Sequence, residues 1–79
     1  MAADTETRVK KVISEVLNVP VAQIKTEHKF TADLGAESFQ SIELIAGFEE
    51  EFDISMNEDE ALSVQTVGDA VRFIEKYLK

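Results

Sequence analysis

Cysteine is absent from this sequence, so neither a disulfide framework nor a thiolate metal site supports the fold, and stability must come from packing a few amphipathic elements. That usage fits a reducing cytosol, and a cytoplasmic protein is expected. Proline occurs once and glycine three times while 44% of the residues are hydrophobic, a composition that excludes a disordered or low-complexity tail. No apolar run reaches the length that spans a bilayer, and the N-terminal MAADTETRVKK lacks the apolar centre of a signal segment. The expectation is a soluble, unprocessed protein without membrane insertion. With 79 residues, the chain has room for one domain, residues 1–79, and little room for a deep cleft.

Positive charge is missing from the middle of the chain. Between Phe30 and Val71 there are eleven acidic residues and no Lys or Arg, whereas the remainder carries all eight basic residues against five acidic ones. The net charge of −8 is therefore a regional −11 and +3. Such a segment repels phosphate backbones, and no basic patch with interleaved aromatics lies elsewhere, which argues against nucleic-acid binding. A basic protein surface is the natural complement, and a merely solubilising face is the plainer alternative.

What is present reads as helix. Val9, Val12, Ile13, Val16 and Leu17 recur at the spacing of one buried stripe, which predicts a helix from about Thr5 to Leu17. Asn18 tolerates a left-handed terminating turn and Pro20 disfavours helical geometry in Val19. Residues 18–37 have no sustained period. A structureless loop that long is uncommon in a compact domain unless it is pinned, and Val21, Ile24, Phe30 and Leu34 are the expected pins. Gly35 permits a sharp turn before a second helix, about Ser38 to Glu51, whose apolar positions include Phe39, Ile42, Ile45, Ala46, Phe48 and Phe52. Leu44 widens that face and predicts contact with more than one neighbour. Asn57 followed by Glu60 marks a short helix near Glu58–Leu62. Thr66 with Asp69 marks a last one, with Arg72, Lys76 and Lys79 toward its C-terminal end, where cations suit the helix dipole. No alternating strand pattern occurs. The fold class is all-α, a small four-helix bundle with a long loop between helices 1 and 2 and a short third helix.

Catalytic chemistry finds few candidates. A serine nucleophile needs a base, and the single histidine, His28, lies among charged loop residues and reads as solvated. One histidine without cysteine makes no ordinary zinc site. Acid pairs abound, but glycosidase-type catalysis needs one of them shielded in a cleft. DISMNEDEALSV sets Asp53, Ser55, Asn57 and Asp59 at the first, third, fifth and seventh places of a calcium loop. However, Glu58 stands where the glycine turn belongs and Val64 where a closing glutamate belongs. No metal site is expected.

There remains Ser38, in DLGAESFQSIEL. Helix rules alone make it a cap, since serine is a preferred first residue and either Glu37 or Ser38 starts this helix. The wider context adds a second reading. DLGAES leading into an acidic helix with IEL and EEEFD resembles the carrier-site region of acyl carrier proteins, whose usual form is DLGADSL. RVKKVISEVLNV resembles the first helix of that family and TVGDAVRFIEKYL its last, so the likeness spans nearly the whole chain without a gap.

The resemblance implies a non-catalytic carrier with 4'-phosphopantetheine on Ser38. A holo-synthase, a phosphopantetheinyl transferase, would direct the hydroxyl onto coenzyme A, forming a phosphodiester and releasing adenosine 3',5'-bisphosphate. The arm's thiol would hold acyl intermediates as thioesters for fatty-acid, other lipid or polyketide synthesis. It further implies docking of Glu37, Glu43, Glu49, Glu50, Glu58 and Asp59 onto basic patches of acyl-transfer and chain-elongation enzymes, by a carrier acting as a monomer. Phe39, Ile42, Ala46, Ile54, Ala61 and Leu62 would line an acyl pocket, with plain core packing as the competing reading. Glu37 replaces the usual Asp, Phe39 the usual Leu or Met, and Gln40 a frequent acid, which points to a specialised carrier. The alternative is an unmodified acidic adaptor that binds basic proteins, with Ser38 only a cap.

Overall fold

The computed structural model describes residues 2–78. Four helices follow in order: α1 (Ala2–Leu17), α2 (Ser38–Phe52), α3 (Glu58–Leu62) and α4 (Val67–Leu78). Among the described residues there is no strand, only an isolated antiparallel bridge between Lys29 and Thr66. The all-α bundle expected from the periodicity is the observed architecture. α1 begins three residues earlier than its apolar stripe indicates, because the stripe itself starts only at Val9. The helix ends as expected at Asn18, whose φ is 59°.

α1 packs against both α2 and α4. Val9, Ile13, Ile24, Val67 and Ile74 are the largest wholly buried side chains, joined by Leu44, Phe48 and Phe52 from α2. Gly47 is part of this packing. A Cβ there would lie 2.8 Å from Val12 Cγ1, so the residue that weakens α2 in isolation lets α1 approach closely. At the far end of α2, Arg8 donates to Glu51 Oε2 at 2.9 Å and to the Glu51 carbonyl at 2.5 Å. Its guanidinium also lies 4.4 Å from the centre of the Phe52 ring. With Lys11 3.5 Å from the same carboxylate, these contacts hold the Glu51 carboxyl below the usual carboxylate range, chiefly through the Arg8 hydrogen bond.

The segment from 18 to 37 is ordered by its backbone as much as by its side chains. Ile24 and Phe30 are buried and Leu34 packs on the core, but Val21 is 45% exposed in a 3-10 turn over Val21–Gln23. Val21 is therefore not a pin, and Ala36, buried, takes that role. The loop runs alongside the start of α4: Phe30 N–H donates to the Gln65 carbonyl at 3.0 Å, Val67 N–H to His28 at 3.0 Å and Gly68 N–H to Thr26 at 2.8 Å. The first amides of a helix lack intrahelical acceptors. Here the loop supplies two of them, and Thr66 Oγ1 supplies a third by accepting from Asp69 N–H at 3.1 Å.

The other turns follow their residues. Gly35 has φ 72° with nothing within 4 Å of a built Cβ, so backbone conformation rather than space requires glycine. Asn57 Oδ1 accepts from Glu60 N–H at 3.0 Å and starts α3 as its spacing predicts. Lys76 occupies the last turn of α4, while Lys79 lies outside the described residues.

Candidate functional site

Ser38 is the first residue inside α2, and Glu37 is the cap. Gln40 Oε1 accepts the Glu37 N–H at 3.0 Å, and the Glu37 carbonyl receives the amides of Gln40 and Ser41 at 2.9 and 3.0 Å. Capping therefore falls to the flanking residues. Ser38 is exposed at the positive end of the helix dipole, where α2's first amides point outward. The loop preceding it, turned by Gly35, leaves that approach open.

Beside the serine, α2 presents two apolar stripes. Leu44, Ile45, Phe48 and Phe52 point inward, the spacing of a buried face. Phe39 and Ile42 point outward, 59% and 53% exposed, and Ala46 is exposed with them. A cavity of about 360 Å³ opens on the inward side, walled by Leu44, Ile45 and Phe48 of α2, Met56, Ala61 and Leu62 of the α3 region, and Phe73 and Ile74 of α4. Its polar lining comes from Ser41, one turn along α2 from Ser38, and from Lys29, Thr31 and Gln65.

Of the six expected pocket residues, only Ala61 and Leu62 line this cavity. Phe39, Ile42 and Ala46 lie on the opposite side of α2, because residues at steps of three and four from Phe39 share its outward direction. Ile54 packs against the core instead. The missed lining residues carry a readable signal: Ser41, Leu44, Ile45 and Phe48 keep the same spacing around Leu44, the residue that widens the face.

The acids also divide. Glu37, Glu43, Glu50, Glu58 and Asp59 are exposed. Glu49 is half-buried, with its Oε2 accepting the Met56 N–H at 2.8 Å. Asp53, in the left-handed conformation with φ 55°, terminates α2, while Asn57 caps α3. Two of the four calcium-loop residues thus have local structural tasks, and no group of three or more potential metal ligands occurs among the described residues. His28 is half-buried rather than freely solvated, and its Nδ1 accepts the Lys25 N–H at 3.2 Å. Among the described residues, no helix is long and apolar enough to cross a membrane.

Residues 7–74 match the family described as the phosphopantetheine attachment site. An acyl carrier protein of Sulfurovum sp. (strain NBC37-1) is 48% identical over 67 residues, covering 85% of this chain and 89% of that protein. A solved structure assigned as an acyl carrier protein from Mycobacterium tuberculosis superposes with a TM-score of 0.85 at 27% identity, covering 92% of this chain and 97% of that one.

Proposed function

From the premise that this chain belongs to the phosphopantetheine-bearing acyl carrier proteins, which are non-catalytic, we propose that Ser38 is the attachment residue of the arm. The observation that carries this reading is the position of Ser38: exposed, first in the helix, and relieved of capping by Glu37 and Gln40. A hydroxyl in that place accepts modification without disturbing the helix start. The outward amides and the dipole favour a phosphodiester there. When bound, the arm supplies a terminal thiol that holds an acyl group as a thioester. The protein's own residues supply an attachment point, an apolar cavity beside it and a surface for partners, so no internal general base is required.

The docking surface is the outward side of α2. Phe39 and Ile42 form an apolar centre next to Ser38, with Glu37, Glu43 and Glu50 exposed around it and Glu58 and Asp59 extending the acidity onto α3. That arrangement suits basic partner enzymes, a holo-synthase first and then acyl-transfer and elongation enzymes. The apolar walls of the cavity suit a hydrocarbon cargo, as in fatty-acid or other acyl-chain synthesis. Residues 1–79 act as one carrier unit, in the cytoplasm.

The direct test is intact mass after incubation with coenzyme A and a broad-specificity phosphopantetheinyl transferase. Wild type and Ser41→Ala gain one phosphopantetheine and Ser38→Ala gains none. A gain that persists in Ser38→Ala, or no gain in wild type beside a modified control carrier, refutes the assignment.

A further inference from the structure

We infer that Glu49 is a positioning residue for the cavity wall and not a docking acid. α3 has five residues and buries none of them completely, and a helix so short has little stability of its own. Its place depends on what holds the strap leading into it. At one end of that strap Glu49 Oε2 receives the Met56 N–H at 2.8 Å. At the next residue Tyr77 Oη receives the Asn57 N–H at 3.1 Å.

Glu49 organises the turn through its backbone as well. Its carbonyl accepts the amides of Asp53 and Ile54, the latter at 3.1 Å. Met56, fixed by the carboxylate, lines the cavity and packs on the core. Without the carboxylate the Met56 amide loses its acceptor, and the wall formed by Met56, Ala61 and Leu62 is free to move from the inward face of α2. Two acceptors of different charge, one from α2 and one from α4, therefore set the width of the cavity. The cargo role assigned to Glu49 rests on Ser38 bearing the arm, whereas the hydrogen bond to Met56 does not.

The test begins with amide hydrogen exchange by NMR on the unloaded full chain, as wild type, Glu49→Gln, Glu49→Ala and Tyr77→Phe. In Glu49→Ala the Met56 amide exchanges about tenfold faster or more, whereas in Glu49→Gln, which keeps a carbonyl acceptor, it stays within about threefold of wild type. Tyr77→Phe accelerates Asn57, and the buried amides of α1 and α4 stay unchanged throughout. Unchanged Met56 exchange in Glu49→Ala, equal acceleration in both Glu49 variants, or acceleration spread through α1 and α4 overturns the inference. A docking acid would give the other pattern, with transferase affinity lost equally in Glu49→Gln and Glu49→Ala. An octanoyl chain then loaded as a thioester on the thiol of the arm carried by Ser38 reports cargo shielding: hydroxylamine cleaves that thioester severalfold faster in Glu49→Ala and Tyr77→Phe and at the wild-type rate in Glu49→Gln. Equal rates in all variants overturn the cargo role. Failure of every variant to load refutes the proposed function instead, with the exchange data still deciding the hydrogen bond.

Discussion

The inward and outward sides of α2 are built from the same kinds of residue and answer to different constraints. Leu44, Ile45, Phe48 and Phe52 bury their side chains in the core and the cavity wall, while Phe39 and Ile42 remain more than half exposed next to Ser38. An exposed Leu or Phe alone is ordinary. A pair of them one turn apart, surrounded by carboxylates and adjoining Ser38, is the surface proposed above for partner contact. Hydrophobicity along a helix thus establishes that a face exists. Direction comes from what else the chain packs there.

The largest separation of the two sides is expected from Phe48→Ala, which removes a buried ring and should cost about 3–5 kcal/mol in urea unfolding. Phe39→Ala should leave stability within about 0.5 kcal/mol of wild type. It should nevertheless lower kcat/KM of the transferase by roughly tenfold, about 1.4 kcal/mol of docking energy. An equal stability loss in both variants would erase the distinction. Gly47→Ala probes a third side of α2, facing α1. Its Cβ collides with Val12 Cγ1, and even after a gain in helix propensity the net loss should be about 1 kcal/mol; a stabilised variant would mean that α1 has room to shift.

Ser38→Ala sharpens the contrast between capping and carrying. A true cap would lose about 1 kcal/mol, but Glu37 and Gln40 hold that task here. The expected stability change is within about 0.5 kcal/mol, alongside complete loss of modification. The smallest effect belongs to the half-buried ion pair of Arg8 and Glu51 at the far end of the helix. Glu51 has a folded pKa below its unfolded value, so its contribution is full above the unfolded value and is lost as pH falls through the folded one. Arg8→Gln should flatten that acid limb in pH-dependent melting.

Several features were legible in the residues. The Asn57–Glu60 pair starts α3, Thr66–Asp69 starts α4, and Asn18 ends α1 in a left-handed turn, because each is a local rule acting through neighbours in sequence. The start of α2 near Ser38 was legible, but the division of the capping was not, since Glu37 and Ser38 both satisfy the starting pattern and only the Gln40 hydrogen bond separates them. The cavity was half legible. Ala61 and Leu62 line it, while Phe39, Ile42 and Ala46 lie on the other side of α2, as a helix with two apolar stripes has no sign marking which is buried. The order of residues 18–37 left least trace, because much of it comes from main-chain bonds to residues 65–68, and a carbonyl has no residue type to read.

Those same main-chain bonds govern the order of assembly. The Thr26 and His28 carbonyls and the Phe30 amide find their partners in the segment that opens α4, so on a growing chain α1 and the loop emerge before anything can complete them. Phe30, which lines the cavity, takes its final place late. During synthesis the chamber is therefore among the last parts to form, and its wall is complete only after α4 has left the ribosome.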